Sequence, residues 1–468
     1  MNAISWMGLL AGAALAADTG LEITVYNSDL GLVKDRRTLS LSKGRSSFAW
    51  EGVAQTLDAS SASFSSRSAR ALEQNYRYDL VSRGALLQKY LGHEVTLVQD
   101  GTDTKSPKEL KGRILSVEGE RITSFEADGK ILLDPPGRVV LPSLPEGLLV
   151  KPSLVLDVFS NSSGSTDAEL RYLCTGLGWK ADYVAVLDSG DKAMDLEGLV
   201  TLTNHSGTSF PDAKLKLVAG DVNRIPEVRM MARGYAPMPS MAKEAMMSDM
   251  AEPAGFQEQG LMEYHLYALG RPTSILNNEQ KQVSLLTARQ AKVSRRYVFD
   301  ESMASRYWWW SREPDTQDGK KLAVIVDLEN REANHMGMPL PKGKVRVYKA
   351  DGAGQLQFVG EDQIDHTPRD ETLHLALGQA FDLRGKRVVE SSSTVKSEKT
   401  ETVAVTLRNS KDEAVVVEVI EHQNWPTWKV KEATQAYEKK DASTIVFQVA
   451  VPARGTAKVS YTYWAGWK

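Results

Sequence analysis

Apolar and polar side chains alternate with a period of two along most of this sequence. Glu22–Tyr26 alternates in this way, Asn27 to Asp29 supply turn-forming residues, and a second run extends from Gly31 to Leu41. Successive side chains of a strand point to opposite faces, so this period predicts strands, whereas a helix needs a period near 3.6. The sequence therefore predicts a meander of short antiparallel strands and an all-β fold.

A short helix and a small barrel are predicted in the first third of the chain. Residues 83–91 have a helical period, and Gly92 follows in a typical C-terminal stop position. Strands this short avoid open edges only by curling closed, so the next segment predicts an SH3-like or Sm-like barrel. Its strand candidates cover residues 94–98, 110–117, 121–125, 130–133 and 137–141.

Two later segments repeat a pattern of strand, Asn-containing turn and strand. In the first, Leu199–Asn204 leads through a Ser-Gly-Thr turn into Ala213–Val218. In the second, Val403–Asn409 leads through a Ser-Lys-Asp turn into Ala414–Val419. Such units are typical of immunoglobulin-like sandwiches, so we expect β-sandwich domains in series.

The chain has 468 residues, which is more than a single hydrophobic core usually serves, so several domains are expected. The predicted segments are a signal peptide at 1–17, an N-terminal β segment at 18–82, the short helix and small barrel at 83–148, a first part of a β-sandwich at 149–224, a Met-rich flexible insertion at 225–258, a second part of the sandwich at 259–313 and a C-terminal β-sandwich domain at 314–468.

The N-terminal residues have the features of a signal peptide. Ile4 to Ala17 are apolar and small, and Ala14-Leu15-Ala16 has the small-x-small pattern that signal peptidase recognises. The alternative is a buried N-terminal segment, because no Lys or Arg precedes the apolar run. No other stretch reaches the roughly 18 apolar residues of a membrane helix, so no transmembrane span is expected in the mature chain. These features predict a periplasmic or cell-envelope protein.

Charge and cysteine content exclude several functions. Lys and Arg number 57 against 60 Asp and Glu, giving a net charge of -3 without a basic block. Nucleic acid is therefore not an expected partner, since phosphate backbones need a concentrated basic surface. Cys174 is the single cysteine, so neither an intramolecular disulfide nor a Cys-based metal site can form. Its apolar neighbours predict a buried thiol.

The run Trp308, Trp309 and Trp310 supplies the candidate binding residues. Adjacent strand residues point to opposite faces, so at least one indole is expected to be exposed unless another domain covers it. An exposed indole can stack on a sugar ring or fill a partner's pocket. The favoured alternative is a contact between domains, because exposed aromatic patches are uncommon on monomers.

The Met-rich segment at 225–258 raises the alternative of Cu(I) binding. Thioethers bind Cu(I), and Met238 with Met241, or Met246 with Met250, would approach each other in a helical turn. No His or Cys accompanies the methionines in this segment, so a flexible insertion is the simpler interpretation.

A search for catalytic motifs finds none. The sequence lacks a Gly-x-Ser-x-Gly elbow, a phosphate-binding Gly-rich loop with Lys-Ser/Thr, and a His-Glu-x-x-His helix. Asp362, Asp365, His366 and Asp370 form the nearest approach to a polar site, and a solvated loop explains them better because no nucleophile is close in sequence. We therefore predict no catalytic residue, no metal and no cofactor, with a hydrolase assembled from residues such as His366 and Asp370 as the alternative.

Several stretches resemble a known bacterial family. Ile23 to Phe64, which includes Tyr26–Val33, Leu41–Gly44 and Gly52–Asp58, resembles the N-terminal segment of mucoidy inhibitor A-like proteins. Later pieces resemble their C-terminal module, the domain of unknown function 4139, at Gly178–Tyr183, Phe210–Ala213, Gly220–Val222, Pro339–Val345 and Gly360–Asp362.

This resemblance implies an exported, β-rich envelope protein and brings over no catalytic residue, because the family has no established site. The chain departs from mucoidy inhibitor A-like proteins by lacking their long coiled coil. The leading hypothesis is a non-catalytic envelope protein that acts as a structural, adaptor or binding module. Its expected partner is an envelope protein or a polysaccharide.

Overall fold

The computed structural model describes residues 20–77, 82–99, 108–143, 145, 150–220, 222–223, 256–301 and 319–467. Strands make up most of this part of the chain, together with one α-helix, α1 (Arg83–Lys89). The strands are β1 (Glu22–Tyr26), β2 (Leu30–Leu41), β3 (Gly44–Glu51), β4 (Ser63–Ser66), β5 (Ala69–Arg77), β6 (Glu94–Gln99), β7 (Lys108–Glu118), β8 (Arg121–Ala127), β9 (Lys130–Leu133), β10 (Arg138–Val140), β11 (Ser153–Ser160), β12 (Gly164–Cys174), β13 (Leu177–Leu187), β14 (Ala193–Asn204), β15 (Phe210–Ala219), β16 (Phe256–Leu261), β17 (Tyr264–Leu269), β18 (Thr273–Ile275), β19 (Glu279–Asp300), β20 (Lys320–Glu329), β21 (Gly343–Ala350), β22 (Leu356–Ile364), β23 (Thr372–Val395), β24 (Glu398–Asn409), β25 (Val415–His422), β26 (Thr427–Ala433), β27 (Glu438–Lys439), β28 (Thr444–Val451) and β29 (Thr456–Gly466).

The chain divides into two compact units. The first takes in the described residues of Met1–Trp179, Leu202–Glu244 and Leu266–Lys281. The second takes in those of Lys180–Thr201, Ala245–His265 and Gln282–Lys468. Each unit has its own hydrophobic core, as expected for a chain of this length.

The main sheet of the first unit has the strand order β17-β15-β1-β2-β12-β4. β1 pairs antiparallel with β2 and parallel with β15, so a strand near the N-terminus lies in the middle of the sheet. Ile23 and Val25 point to the buried side, while Glu22 lies on the solvent side with Lys34 as its cross-strand partner. The alternation in the sequence therefore corresponds to a sheet with one apolar, buried face and one polar, solvent-facing face.

The helix and the five short strands of the first unit form a small separate layer. The sheet order is β10-β6-β7-β8-β9, and all its pairings are antiparallel. Ser82 caps α1 by accepting the N–H of Ala85, and Gly92 follows with a positive φ of 77°. Its core is built from residues of α1 and three strands, which are Leu87, Val95, Leu97, Ile114, Ile122 and Phe125.

The second unit contains a large sheet in the order β22-β21-β13-β14-β19-β20-β23-β24-β29-β26. β25 pairs with β28 and, over four residues, with β19. Its largest core cluster lies between the strands of the C-terminal part, with Val403, Val417, Ile445 and Phe447 fully buried. Buried and more exposed residues alternate along β25, whereas Ile445, Val446 and Phe447 are consecutive buried residues in β28.

In each of the two predicted strand-turn-strand units, the first strand ends in a buried asparagine, and the two asparagines make matching hydrogen bonds. In the first unit, the Asn204 amide donates to the carbonyls of Thr208, Ile275 and Leu276, and its oxygen accepts the N–H of Ser206.

In the second unit, the Asn409 amide donates to the carbonyls of Glu413, Val451 and Pro452, and its oxygen accepts the N–H of Lys411. The sequence repeat therefore corresponds to a repeated structural corner. In each copy, one asparagine side chain bonds within the turn that follows it and also bonds carbonyls at the end of another strand.

The all-β prediction and the single short helix are confirmed in the described residues. The immunoglobulin-like and SH3-like classifications stay predictions. Among the described residues, no helix has the length and apolar character needed to cross a bilayer.

Candidate ligand-binding face

The binding candidates predicted from the sequence fall outside the described part of the chain. Trp308, Trp309 and Trp310 lie in the interval 302–318, and the methionines Met238, Met241, Met246 and Met250 lie in 224–255. Both sets stay predictions.

The polar residues proposed for a hydrolase bond to backbone groups and side chains around them. The His366 Nδ1 atom accepts the N–H of Lys342 at 3.2 Å, and an Asp362 oxygen accepts the N–H of Ala376 at 2.8 Å. The Asp370 carboxylate lies 3.5 Å from the Arg369 guanidinium. The first two contacts tie this segment to backbone groups before β21 and in β23, and none of the three activates a hydroxyl or thiol. Within the described ranges, no cluster of three or more His, Cys, Asp or Glu could hold a metal ion.

Cys174 is buried at the end of β12, as the sequence predicts. Burial raises the pKa of its thiol to about 12, with a smaller contribution from the Asp29 carboxylate. A thiol that stays protonated is a poor nucleophile and a poor metal ligand.

A solvent-facing row of polar and aromatic side chains crosses four strands of the second unit. Ser393 of β23 pairs with Thr400 of β24, Thr400 pairs with Trp464 of β29, and Trp464 pairs with Lys429 of β26. Direct cross-strand partners lie about 5 Å apart, so the row forms one continuous surface. We define the Trp464 face as Ser393, Glu398, Thr400, Lys429, Lys431 and Trp464.

The indole of Trp464 is fixed in orientation on this face. Its Nε1–H donates to a Glu398 oxygen at 3.0 Å, and the Lys429 Nζ atom lies 5.7 Å from the ring centre. Gly466 makes room for the ring, because a Cβ atom there would lie 2.9 Å from the Cη2 atom of Trp464. The ring is therefore held before any ligand arrives, which lowers the entropy cost of binding.

The Trp464 face surrounds a shallow hollow of about 310 Å³ with an excess of positive charge. Lys431 donates to the Thr400 hydroxyl at 3.4 Å, and Glu398 is the one carboxylate in the lining. Two ammonium groups thus stand against one carboxylate. One step further along, the Thr402 and Thr462 hydroxyls bond each other at 3.0 Å and extend the polar surface.

Two buried carboxylates lie in the interior behind the Trp464 face, Glu401 of β24 and Glu421 of β25. Arg387 donates to both oxygens of Glu421, at 3.1 and 3.0 Å, and the Tyr461 hydroxyl donates to Glu421 at 2.6 Å. Burial raises the pKa of Glu421, and the attraction of Arg387 opposes that rise.

The Glu401 carboxylate, on the interior side of the strand that carries Thr400, is also held by several hydrogen bonds. It accepts from the Ser392 hydroxyl at 2.9 Å and the Lys399 ammonium at 2.7 Å, and it also accepts the Tyr463 hydroxyl. Burial and the bond to Glu401 raise the pKa of Tyr463 to about 12, so this phenol stays a donor. These groups are engaged in bonds that hold the sheet, and they supply no free nucleophile.

A stacked pair of indoles lies near the same end of the sheet as Trp464. Trp425 and Trp467 stack with ring centres 5.0 Å apart, and the Lys399 Nζ atom lies 5.5 Å from the Trp425 centre. Because these two indoles stack on each other, each has one π face covered by the other.

The sequence pattern indicated Trp308, Trp309 and Trp310 as candidate binding residues and did not indicate Trp464. Alternation could have put Trp464 and Gly466 on one side of the terminal strand and Tyr461 and Tyr463 on the other. It could not show that Lys429 and Thr400 lie beside Trp464, because those pairings join strands distant in sequence.

The fold and this face define an all-β protein of several sheets with a pre-arranged aromatic surface. No protein-family model matches the sequence, and no curated protein matches it either. The resemblance to mucoidy inhibitor A-like proteins stays a prediction.

Proposed function

We propose that this protein is an exported, non-catalytic binding module of the bacterial cell envelope and that it holds a polysaccharide on the Trp464 face. The observation that carries the proposal is the cross-strand row of Ser393, Thr400, Trp464 and Lys429. It combines a flat apolar ring with hydroxyl and ammonium donors on one surface.

A polysaccharide fits the chemistry of this row. The axial C–H groups of a sugar ring pack on an indole, while its hydroxyls need donors and acceptors around the rim. Trp464 supplies the ring, Thr400 and Ser393 supply hydroxyls, and Glu398 supplies an acceptor. The shallow shape suits a chain lying along the sheet better than a small molecule enclosed in a pocket.

Charge narrows the class of polysaccharide. Lys429 and Lys431 outnumber Glu398 on the face, so acidic sugars are favoured over neutral ones. The electrostatic contribution is modest at an exposed surface and is screened by salt. Affinity for an acidic glycan should therefore fall as ionic strength rises, while the stacking contribution remains.

The test is binding of the purified mature chain to a panel of peptidoglycan, neutral glucans and uronic-acid polysaccharides. We expect saturable binding to at least one of them. Trp464→Ala should weaken it by about tenfold, or ~1.4 kcal/mol, since the stacking surface is lost. Trp464→Phe keeps a ring and should lose less.

The matched control is Phe381→Ala, which removes an exposed aromatic ring of β23 outside the Trp464 face. This variant should bind as the unaltered protein does. Failure of every polysaccharide to bind, or equal losses in Trp464→Ala and Phe381→Ala, would count against the proposal.

A further inference from the structure

The solvent side of the main sheet in the first unit carries more cations than carboxylates. One row runs from Lys214 through Glu22 and Lys34 to Arg171. The next pairs Arg36 with Glu169, and the one after pairs Thr38 with Asp167. Cationic side chains on this side are Lys34, Arg36, Arg67, Arg171, Lys214 and Lys216, against the carboxylates Glu22, Asp167 and Glu169.

Two of these carboxylates are each shared between two cations. Glu22 lies 2.9 Å from both the Lys34 and Lys216 ammonium groups. Glu169 lies 2.6 Å from Arg36 and 3.2 Å from Arg171. A carboxylate cancels one positive charge, so each of these triads keeps a net positive charge.

Two further cations have no partner among the described residues. Arg67 follows β4 and Lys214 lies in β15, and neither has a carboxylate within 4.0 Å. Asp167, the remaining carboxylate, accepts the Thr38 hydroxyl at 3.0 Å. The excess positive charge is therefore greatest around Arg67 and Lys214, which no described carboxylate neutralises.

A cleft of about 630 Å³ lies among part of this set, with Arg36, Arg67 and Lys214 in its lining together with the carboxylates Asp167 and Glu169. Gly20 forms part of its floor, and a Cβ atom there would lie 2.9 Å from the Cβ atom of Arg36. The absence of a side chain at Gly20 lets its backbone lie against the aliphatic stem of Arg36. The cleft is within the size range of small-molecule sites. Its lining consists of Gly20, Arg36, Arg37, Thr38, Ser65, Ser66, Arg67, Asp167, Ala168, Glu169 and Lys214.

We propose that this cleft binds a phosphate group, carried either by a soluble molecule or by a lipid headgroup. Phosphate offers several acceptor oxygens and a charge of up to two, which matches a site with several cations. Arg36 and Arg67 present guanidinium forks, Lys214 adds a point charge, and Ser65 and Ser66 provide hydroxyl groups. A neutral apolar ligand is disfavoured because the lining holds no large apolar side chain.

The experiment is a calorimetric titration of the full mature chain at low ionic strength with inorganic phosphate and with pyrophosphate. We expect saturable binding that weakens as salt is added. The double variant Arg67→Gln/Lys214→Gln should bind at least about tenfold more weakly, and it should keep the unfolding transition of the unaltered chain.

The matched control is Lys43→Gln/Lys130→Gln. It removes the same charge from two exposed positions of the first unit that do not line the cleft. This control separates a local site from a general effect of net charge, because only a local site distinguishes the two double variants.

A second arm identifies the source of the phosphate. Vesicles of phosphatidylglycerol in phosphatidylcholine are compared with phosphatidylcholine alone in a sedimentation assay. Cleft-dependent binding to the anionic vesicles assigns a lipid headgroup, and binding to the soluble probes alone assigns a soluble phosphate compound.

The proposal is overturned if neither the soluble probes nor the anionic vesicles bind, or if the cleft variant binds like the control. Both measurements are independent of polysaccharide binding, since Trp464 belongs to the second unit.

Discussion

Asn409 shows how one side chain can hold a corner that no apolar contact could hold. It is 1% exposed, and its amide contacts three backbone carbonyls while its oxygen accepts a backbone N–H. A buried carbonyl or amide without a hydrogen-bond partner lowers stability. The Asn409 side chain supplies these partners in a place that water does not reach.

Asn409→Ala should lower the free energy of unfolding by about 3 kcal/mol, because it leaves several buried backbone groups without partners. Urea denaturation followed by tryptophan fluorescence measures this change. Asn161→Ala is the control, since Asn161 also follows a strand but is exposed, and its effect should stay within about 0.5 kcal/mol. Similar losses in the two variants would show that the corner bonds do not matter.

Asn409 also marks the limit of prediction at the residue scale. The sequence indicated a turn at this position, since Asn often occurs in turns. The bonds to Val451 and Pro452 depend on a strand more than 40 residues away, which no local pattern reveals.

At the scale of elements, Asp195 joins β14 to an irregular point in β19. Gln290 has a positive φ of 53° inside that strand, and its N–H donates to an Asp195 oxygen at 2.8 Å. Arg289 donates to the other oxygen at 3.2 Å. The backbone bond from Gln290 lowers the pKa of the Asp195 carboxyl below its ordinary value; burial opposes this effect, and the contact with Arg289 adds to it.

Asp195→Ala should therefore destabilise the protein by about 1 kcal/mol near neutral pH. A depressed folded-state pKa contributes stability above the unfolded-state pKa and loses it as pH falls through the folded-state value. The difference between the variant and the unaltered chain should shrink below about pH 4. Urea titrations at a series of pH values measure it, and a difference that grows in acid would contradict the assignment.

Elements near one another in sequence were predictable, and distant pairings were not. Alternation predicted strands at 94–98, 121–125 and 130–133, and the structure has Glu94–Gln99, Arg121–Ala127 and Lys130–Leu133. The helix was predicted at 83–91 and spans Arg83–Lys89. The Trp464 face arises from the register of β23, β24, β29 and β26, which is set by core packing across the whole sandwich.

At the scale of the whole molecule, stability comes from packed cores without covalent links. The single cysteine cannot form an intramolecular disulfide, and its thiol is buried. A chain of this kind can be exported and fold without oxidation, which is compatible with the envelope location that we propose.

Export predicts a measurable difference between the full chain and a variant lacking residues 4–17. Cell fractionation should find the full chain in the periplasmic or envelope fraction and the shortened one in the cytosol, because the apolar run is needed for recognition by the secretion machinery. A cytosolic reporter enzyme controls for lysis. Equal distribution of the two proteins would contradict the export proposal.

The parallel pairing of β1 with β15 also has a consequence for biosynthesis. Glu22 and Lys216 form an ion pair although 194 positions separate them. A ribosome makes β1 well before β15, so one edge of this strand stays unpaired while the intervening residues are synthesised. Until β15 has been made, the nascent chain therefore carries an unpaired strand edge at β1, which is the kind of edge on which other chains can pair.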